Sequence, residues 1–431
     1  MKAIFLSKKK IFNYEVIIVG AGIAGISAAK IFDKNNISNI VIEANNRLGG
    51  RAKKAQKSFG SWFDLGCSYL HEGDINPFTS IAKRLKIPIS YEKGDLFSIE
   101  KTKYFSKNKK FSLKKVGLLK NSYNDFLKNL NFHKNKGKDS SLSSCLSRVD
   151  PCYPIIFDYL TGLNAVEANF VSTTDFASVN DGKDLIIESG LAKMIDRWAK
   201  GVNVIVDSPV MKINWKKDII EVYTNSKKYL SKAIILTVSN GILANQDIKF
   251  IPNLPDYKMQ AVQNLPMGIL NKIGVLFKEG TFKEKDIGWY VALLGKDTEN
   301  KLEIISFEIR KKEKEHMIFF FGGKKGLDIE NFPKKYYRTI VKFIKNQFGK
   351  RIENNIIEII HSSWRKDPYT KGSYSYALPG HSSERALLKK PLEKKLYFAG
   401  EATMKKYYGT CHGAYISGVD AANKIISKLN N

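Results

Sequence analysis

The sequence predicts an α/β protein in two parts: a Rossmann-like dinucleotide-binding domain on a parallel sheet, and an interwoven α+β domain with a mixed sheet and a helical part. The main observation is a G-x-G-x-x-G run between a short apolar strand pattern and a helix pattern near the N-terminus. A second is that similar apolar strands alternate with helical patterns in three separated segments. The third is length, since 431 residues exceed one typical domain and allow two.

The first predicted unit is a strand, a helix and a second strand. Residues 15–20 (EVIIVG) form a short apolar run that ends in glycine, which is typical of a buried parallel strand. Residues 22–32 follow with the small side chains of a closely packed helix, and residues 39–43 (NIVIE) form the next apolar run. The unit spans about 30 residues, as a βαβ unit should.

The later segments repeat this alternation around two blocks of different character. Strands are predicted at 202–206, 219–223, 233–236 and 395–400, and helices at 191–200 and 413–429. One intervening block is helical and basic, and the other has strand patterns at 288–294, 302–309 and 317–321 and a helix pattern at 336–348. We therefore assign residues 1–74, 181–244 and 366–431 to the dinucleotide-binding domain, and 75–180 and 245–365 to a substrate-binding domain.

The amino-acid composition limits the classes of function that the protein can have. The formal net charge is +29, but the lysines are dispersed and no nucleic-acid motif is present, so we expect a solvated basic surface and no nucleic-acid partner. The four cysteines show neither C-x-x-C pairing nor metal-ligand spacing with the histidines, which predicts no metal site and a reducing, cytoplasmic location. No apolar run is long enough for a membrane span. The oligomeric state is open, a homodimer included.

The glycine run has the chemistry of a pyrophosphate site. Gly20 permits the tight turn, Gly22 lets the backbone approach the phosphates, and Gly25 lets strand and helix pack closely. The helix start offers free N–H groups and a positive dipole end. Glu43 follows about 20 residues on, where a carboxylate can hold ribose hydroxyls. The predicted contacts of this run are Gly20, Gly22, Ile23, Ala24 and Gly25.

A second glycine pair follows Glu43 in the stretch E-A-N-N-R-L-G-G-R, residues 43–51. Two adjacent glycines allow close approach of the backbone to a ligand, and two arginines can meet phosphate. The stretch resembles the E-x-x-x-R-x-G-G-R element of the flavin-containing amine oxidase family. That family includes monoamine oxidases, polyamine oxidases, L-amino-acid oxidases and the histone lysine demethylase oxidases. The resemblance covers nearly the whole chain and implies that the Rossmann-like domain binds FAD.

Other short motifs carry the same resemblance. Residues 64–71 (DLGCSYLH) resemble the segment along the flavin, and residues 208–210 (SPV) the segment that meets the adenine. Residues 237–241 (TVSNG) match T-x-P-x-G except at Ser239, a departure that alters a turn. Residues 396–403 (LYFAGEAT) and 410–414 (TCHGA) are similar to the motifs that open the last helix against the flavin. The implied FAD contacts, beyond the first glycine run, are Glu43, Ala44, Arg47, Gly49, Gly50, Arg51, Leu65, Gly66, Val210, Thr237, Trp364, Gly400, Glu401, Thr410, Cys411 and Ala414.

The resemblance also implies catalytic residues. Lys272, in G-I-L-N-K, matches the family lysine that holds a water against flavin N5, and the apolar run after it argues against a simply solvated lysine. Tyr374, in G-S-Y-S-Y, matches an aromatic wall beside the flavin, with a core tyrosine as the alternative. Ser373 stands where monoamine oxidases have the cysteine bonded to flavin, which predicts non-covalent FAD. Thr410 stands where they have a second cage tyrosine.

His71 is the remaining catalytic candidate. Its surroundings resemble the H-G-x-x-x-N-P run of polyamine oxidases, although Glu72 interrupts the pattern, and a structural histidine is the alternative. Glu72, Asp74 and Glu167 form either an acidic mouth for a cation or ordinary surface charges.

The resemblance implies an FAD-dependent amine oxidase. Hydride passes from the amine α-carbon to flavin N5, the imine gives a carbonyl and ammonia or a smaller amine, and O2 reoxidises the flavin to H2O2. The motifs favour a polyamine or secondary amine, whereas the charge of +29 opposes a cationic substrate. Alternatives are an L-amino-acid oxidase anchored by Arg51 or Arg310, an FAD-dependent C–C desaturase, and a flavin-bound chromatin or nucleic-acid binding module.

Overall fold

The computed structural model describes residues 11–60, 62–91, 102–106, 109–179, 182–296, 302–311 and 313–429. Its larger sheet, called here the dinucleotide sheet, has eight strands. In order they are Lys249–Ile251, Val210–Asn214, Ile220–Thr224, Lys228–Leu236, Ile11–Val19, Asn39–Ile42 and Val204–Ile205, with Leu396–Phe398 also pairing with Lys228–Leu236. Pairing is parallel on both sides of Ile11–Val19 and antiparallel on both sides of Ile220–Thr224. The predicted parallel sheet is confirmed and carries an antiparallel extension.

The central strand Ile11–Val19 is buried on both faces at its C-terminal end. Ile17 and Val19 pack into the core on one side of the sheet, and Val16 and Ile18 into the core on the other. A strand covered on both faces needs apolar side chains at every position, which is why the run reads as continuous rather than alternating.

Two helices that pack against each other position the ends of the nucleotide cleft. They are Ile23–Lys34 and Cys411–Leu429. Their contact is close, because a Cβ at Gly418 would lie 2.1 Å from the Ala24 carbonyl oxygen, and Ser27 donates to the Tyr415 carbonyl at 3.0 Å. The first turns of both helices therefore border one cavity, which is described in the next subsection.

A seven-stranded second sheet forms the other half of the molecule. Its strands are Ile356–His361, Leu270–Phe277, His316–Gly322, Leu302–Arg310, Gly288–Lys296, Lys103–Ser106 and Lys109–Lys110, in that order. The pairing is antiparallel except between Gly288–Lys296 and Lys103–Ser106. The sequence predicted the three strands near 288–294, 302–309 and 317–321, and it left the edge strand Ile356–His361 unassigned.

A small antiparallel sheet and the helices complete the described chain. The small sheet runs Tyr69–Leu70, Leu185–Ile187 and Ile89–Tyr91. The remaining α-helices are Pro77–Arg84, Leu113–Asn135, Tyr153–Asn164, Thr173–Phe176, Leu191–Trp198, Asn240–Ala244, Asp256–Asn264, Gly323–Asn331, Pro333–Phe348, Lys350–Glu353 and Glu384–Lys389. Short 3-10 helices lie at Lys57–Phe59, Leu142–Cys145, Ala168–Phe170, Glu284–Asp286 and Glu401–Thr403.

The block at 75–180 is largely helical, as the sequence predicted, but it also contributes strands to both smaller sheets. Its basic helix Leu113–Asn135 turns Leu119, Phe126 and Leu130 inward and leaves most of its lysines in solvent. Within the ranges given above, no helix combines the length and the apolar character that crossing a bilayer requires.

Candidate active site

One cavity of about 1040 Å³ lies between the dinucleotide sheet and the second sheet. Its wall begins at the strand ends and helix starts around Gly20 and Glu43, continues past Lys272 and Tyr374, and reaches Tyr123 and neighbouring residues of the helical block. A cavity of this size, at the carboxyl ends of parallel strands, is large enough for a dinucleotide and a small substrate together.

The glycine run shapes the nucleotide end of the cavity. Gly20 has a φ of 105°, which favours glycine. At Gly22 a Cβ would meet nothing within 4 Å, because the residue faces open cavity. At Gly25 a Cβ would lie 2.0 Å from the Gly20 carbonyl oxygen. The first and third glycines are therefore required by the protein's own packing, and the second leaves room for a ligand.

Glu43 is buried at the end of the second strand and is held by backbone N–H groups. Its Oε2 accepts from Ala21 N at 2.6 Å and its Oε1 from Asn45 N at 2.8 Å. Burial raises the pKa of this carboxyl. Arg47 donates to the Gly50 carbonyl at 2.8 Å and so braces the second glycine pair from behind. The two carboxylate oxygens retain lone pairs for ribose hydroxyls.

Glu401 connects three parts of the wall. Its Oε1 accepts from Arg51 Nη1 at 2.7 Å, and its Oε2 accepts from Ser375 Oγ at 2.7 Å and Gly409 N at 2.9 Å. Burial opposes ionisation, but the Arg51 and Arg385 guanidiniums and the Ser375 hydroxyl together outweigh it and lower the pKa of Glu401. Arg51 also donates to the Ser373 carbonyl at 2.9 Å. This network joins the second glycine pair to the segments at 373–375 and 401–409.

Lys272 lies on the strand Leu270–Phe277 and points out of the second sheet into the cavity wall. Only 5% of the residue is exposed. Its ammonium donates to the Gly66 carbonyl at 2.6 Å and to Ser68 Oγ, and it reaches the Asp64 carbonyl at 3.2 Å. Burial lowers the pKa of Lys272 to about 8. A lysine poised in this way is cationic at neutral pH yet able to release a proton.

Asp64 anchors the loop that holds the lysine. Its carboxylate accepts from Leu191 N at 2.8 Å and Ala192 N at 2.9 Å, at the start of the helix Leu191–Trp198. Burial raises the pKa of Asp64 to about 6. The backbone carbonyls that receive Lys272 are therefore fixed by a helix start on the opposite side of the loop.

Tyrosine rings form one part of the cavity wall. Tyr374 donates its hydroxyl to the Leu163 carbonyl at 2.8 Å, and its ring packs on Gly409, where a Cβ would lie 3.3 Å from the ring. Tyr407 and Tyr408 also line the cavity, and the Arg385 guanidinium sits 3.9 Å from the Tyr408 ring centre. The sequence indicated Tyr374 and placed Thr410 where a second cage tyrosine would stand; Tyr407 and Tyr408 add rings that it did not indicate.

His71 is oriented by a carboxylate that is remote in sequence. Its Nδ1 lies 3.0 Å from both oxygens of Asp184, which is itself buried. A carboxylate at Nδ1 fixes the hydrogen there and leaves Nε2 as an acceptor. His71 and Asp184 both line the cavity.

Most of the predicted site residues line this cavity. The predicted catalytic residues Lys272, Tyr374, His71 and Thr410 all do. So do Gly20, Gly22, Ile23, Ala24, Glu43, Ala44, Gly49, Gly50, Arg51, Leu65, Gly66, Val210, Thr237, Trp364, Gly400, Glu401, Cys411 and Ala414. Gly25 and Arg47 stand behind the wall, in the packing roles described above. Their contacts with FAD stay predictions.

The residues fit FAD as a group. Gly22 opens toward the ligand, Glu43 presents a carboxylate at the strand end, and Cys411 begins a long helix at the far end of the cavity. Ser373 uses its hydroxyl within the protein, accepting from Leu270 N at 2.7 Å and donating to Leu270 O at 3.0 Å. A serine so engaged has no thiol with which to bond a flavin, which suits non-covalent binding.

The charge on the cavity wall differs from that of the whole chain. Six Asp or Glu residues and five Lys or Arg residues line it, although the chain as a whole carries 71 Lys or Arg against 42 Asp or Glu. The acids are Glu43, Glu72, Asp158, Asp184, Asp247 and Glu401, and the bases are Arg51, Lys272, Lys325, Lys371 and Lys406. The excess of positive charge therefore lies outside the cavity.

Comparison with known proteins shows what the chain is similar to. The family model described as flavin containing amine oxidoreductase matches residues 23–426. The chain is 29% identical to polyamine oxidase 3 of Oryza sativa subsp. japonica, over 97% of this chain and 90% of the relative. It is 26% identical to lysine-specific histone demethylase 1 homolog 2 of Arabidopsis thaliana, over 96% of this chain.

The chain spans 59% of that demethylase homolog and 30% of a second one, homolog 3. Among solved structures, a double mutant of putrescine oxidase redesigned in its cofactor binding superposes with a TM-score of 0.78 and 17% identity. The superposition covers 97% of this chain and all of that one, and it shows the same fold.

Proposed function

Because the chain belongs to the flavin-containing amine oxidoreductase family, we propose that it is an FAD-dependent amine oxidase that acts on a polyamine or secondary amine. The observation that carries the proposal is the placement of Lys272, a buried ammonium held at the cavity wall by Gly66 and Ser68. The polyamine oxidase relatives, which the chain covers almost end to end, support the substrate class.

The chemistry that bound FAD would supply is acceptance of hydride from the substrate α-carbon and delivery of the electrons to O2, which would give H2O2. Lys272 contributes a positive charge and an exchangeable proton at the wall, with a pKa of about 8 set by burial. A group with this pKa can exchange a proton near neutral pH.

Other side chains prepare the amine. The nitrogen must be neutral when the α-carbon gives up hydride, because its lone pair forms the carbon–nitrogen double bond, so the ammonium form of the substrate has to lose a proton first. His71 is suited to accept that proton at Nε2, because Asp184 occupies Nδ1 and stabilises the imidazolium that results. The rings of Tyr374, Tyr407 and Tyr408 provide an apolar, electron-rich wall on which the alkyl chain packs.

The contacts of the two candidate arginines argue against an L-amino-acid oxidase. Arg51 is bonded to Glu401 at 2.7 Å, and Arg310 to Glu308 at 2.6 Å. Arg310 is also absent from the wall of the described cavity. An arginine already paired with a carboxylate binds a substrate carboxylate weakly. The placement of Lys272 and Tyr374 on the cavity wall argues against a C–C desaturase.

Anaerobic reduction of the bound flavin tests the proposal. Spermidine and N-methylated diamines should bleach the flavin absorbance rapidly, and L-amino acids should do so slowly or not at all. Admitting air should restore the absorbance and yield H2O2. If L-amino acids bleach the flavin and amines do not, the proposed substrate class is wrong. If neither class does, amine oxidation itself is wrong.

A further inference from the structure

The loop at residues 64–68 takes all three N–H donors of the Lys272 ammonium. They go to the Asp64 carbonyl at 3.2 Å, to the Gly66 carbonyl at 2.6 Å and to Ser68 Oγ. An ammonium has three donors and no acceptor. While Lys272 is charged, it therefore contributes its charge to the cavity wall, but its hydrogen bonds are directed into the protein.

The Ser68 hydroxyl is placed differently. It accepts from Lys272 and lines the cavity, although only 5% of the residue is exposed. Its own hydrogen has no short acceptor among the residues that the structure describes. The Gly66 carbonyl lies 3.4 Å from Ser68 Oγ, beyond the usual O–H···O range, and it already accepts from Lys272. The hydroxyl hydrogen of Ser68 is thus available to a group in the cavity.

The protonation state of Lys272 sets the direction of this hydroxyl. When the ammonium donates to Ser68 Oγ, the hydroxyl hydrogen can point into the cavity. A neutral amine has a lone pair and can accept from Ser68, which turns that hydrogen away from the cavity. Burial lowers the pKa of Lys272 to about 8, so the two states exchange near neutral pH. A hydrogen bond from a cation also makes the hydroxyl a stronger donor, because linked hydrogen bonds polarise one another.

One half of the proposed reaction needs a proton donor. Hydride accepted from the substrate carries two electrons and one proton, whereas reduction of O2 to H2O2 takes up two electrons and two protons. The second proton must come from an acid. His71, held by Asp184, is suited to accept a proton from the amine and so serves the opposite need. Lys272 is an acid suited to the O2 half, because it can release a proton near neutral pH.

We infer that Ser68 relays a proton from Lys272 to O2 as the oxygen is reduced, so that the serine hydroxyl rather than the ammonium meets the reacting oxygen. The inference rests on the proposed function and adds to it the residue through which Lys272 acts. In this step the Oγ–H bond of Ser68 breaks toward the oxygen, and a proton from Lys272 Nζ forms a new Oγ–H bond. Ser68 ends unchanged, and Lys272 is left as a neutral amine that solvent protonates again.

The test measures reoxidation of the flavin in the wild-type enzyme, Ser68→Ala and Ser68→Thr. The bound flavin is first reduced with dithionite, so that no amine takes part, and is then mixed with O2 in a stopped-flow instrument over a range of pH. Ser68→Ala should reoxidise about 100-fold more slowly at neutral pH, as expected for a lost proton-transfer group, and Ser68→Thr should come within about threefold of wild type because it keeps the hydroxyl.

Ser362→Ala is the matched control. Its hydroxyl accepts from the backbone N–H of Lys272 at 2.9 Å and is buried like that of Ser68, but it lies outside the cavity wall. This variant removes a serine hydroxyl beside the same lysine without touching the ammonium. It should keep the wild-type reoxidation rate and its dependence on pH.

Unfolding of the flavin-free protein gives a second measurement that needs no turnover. The free energy of unfolding of the wild type, relative to Lys272→Met, should rise as pH increases through about 8, since the folded chain releases the Lys272 proton before the unfolded chain does. In the Ser68→Ala background the same comparison should show the rise at lower pH, because the ammonium has lost an acceptor. In the Ser362→Ala background the rise should stay at the wild-type pH.

Two results would overturn the inference while leaving amine oxidation intact. One is wild-type reoxidation with wild-type pH dependence in Ser68→Ala. The other is a loss in Ser68→Ala that Ser68→Thr does not recover, since that loss would be one of packing. The proposed function fails separately, if neither polyamines nor other amines reduce the wild-type flavin, because reoxidation after dithionite does not depend on the amine.

Discussion

At the scale of single residues, the three glycines of the first loop have different physical reasons to be glycine. Gly22 has a β-region backbone with φ of −70° and open space where a Cβ would go, so the protein alone would accept alanine there. Gly25 would place a Cβ 2.0 Å from a carbonyl oxygen. The requirement at Gly22 therefore comes from the ligand, and the requirement at Gly25 comes from the fold.

Gly22→Ala should leave the stability of the flavin-free protein unchanged and weaken FAD binding, because the new methyl enters the cleft. We expect a loss of roughly 10-fold or more in affinity, in line with the overpacking cost of one methyl group. Titration of FAD by fluorescence quenching, alongside thermal unfolding of both forms, measures the two effects. Gly25→Ala should act mainly on stability rather than on FAD affinity, so the flavin-free protein itself should be destabilised. Equal FAD affinity in Gly22→Ala and wild type would contradict this account.

Lys272→Met should slow flavin reduction or reoxidation by about 100-fold, the range of a lost proton-transfer or charge-stabilising group. The sign of the pH dependence follows from burial, which lowers the pKa of Lys272 to about 8. The ammonium is present below that pH and is lost above it, so the wild-type rate of the step that uses it should fall as pH rises through about 8. This fall in rate is the pH limb of the wild-type profile. Lys272→Met should lack the limb when the rate is measured by stopped flow over a range of pH.

Lys258→Met is the control for a buried lysine. Burial likewise lowers the pKa of Lys258 to about 8, but this side chain donates to the Leu387, Leu388 and Lys390 carbonyls and lies outside the cavity wall. Its loss should reduce stability by about 1–3 kcal/mol and leave the pH limb in place. A limb near pH 8 that persists in Lys272→Met would assign the titration to another group.

At the scale of elements, a buried ion pair joins the helical block to the nucleotide half. Arg385, on Glu384–Lys389, donates to both oxygens of Asp175, on Thr173–Phe176, at 2.7 Å. Both residues are 1% exposed, and Arg385 also donates to Ser375 Oγ at 2.9 Å, a partner of Glu401. This pair therefore connects the substrate-side helices with the network that fixes the second glycine pair.

Arg385→Met should destabilise the protein by about 3–5 kcal/mol, because it leaves the Asp175 carboxylate buried without a partner. The double variant Arg385→Met with Asp175→Leu should recover part of that loss, since no charge then remains buried. Urea unfolding followed by circular dichroism measures both. Lys128→Met, which breaks an exposed pair with Asp125, should change stability by only about 0.5 kcal/mol. A similar small cost at Arg385 would mean that the pair contributes little.

The boundaries of the elements show where the local residue pattern was sufficient to predict secondary structure and where it was not. The second half of the strand Ile11–Val19 and the helix after it follow from the apolar run, because residues 16–19 are buried without a break, whereas residues 13 and 14 of the strand, which are more exposed, lay outside the predicted strand at 15–20. The edge strand Ile356–His361 was left unassigned, since most of its residues are half-buried and the pattern is weak. Ser239, where similar sequences have proline, turns out to cap the helix Asn240–Ala244 and to donate to the Thr370 carbonyl at 2.6 Å.

At the scale of the whole molecule, two charge distributions act on a cationic substrate at different distances. The net charge of +29 acts at long range, and the nearly equal numbers of acidic and basic residues on the cavity wall act at short range. The positive surface repels any polycation during its approach, whereas the wall, with six acids against five bases, does not. Added salt screens the first effect, because the Debye length falls to about 8 Å at 0.15 M.

The kcat/KM for spermidine should therefore rise with ionic strength, by roughly threefold or more between low and physiological salt. Butylamine carries a single charge and should respond less. Steady-state assays of both amines over a series of NaCl concentrations measure the difference. A kcat/KM for spermidine that falls with salt would show that an acidic field at the entrance dominates the approach.

The sequence by itself determined the dinucleotide fold, the glycine loops, Glu43 and the candidate lysine, because each depends on residues that are neighbours in the chain or on a short motif. It did not determine the partners that give those residues their chemistry. Asp184 reaches His71 across 113 positions, and Glu401 reaches Arg51 across 350. The left-handed φ of 51° at Glu72 is likewise a property of packing. Only the tertiary structure decided these, since burial and hydrogen bonding between distant segments set charge and protonation, and a linear pattern carries no record of either.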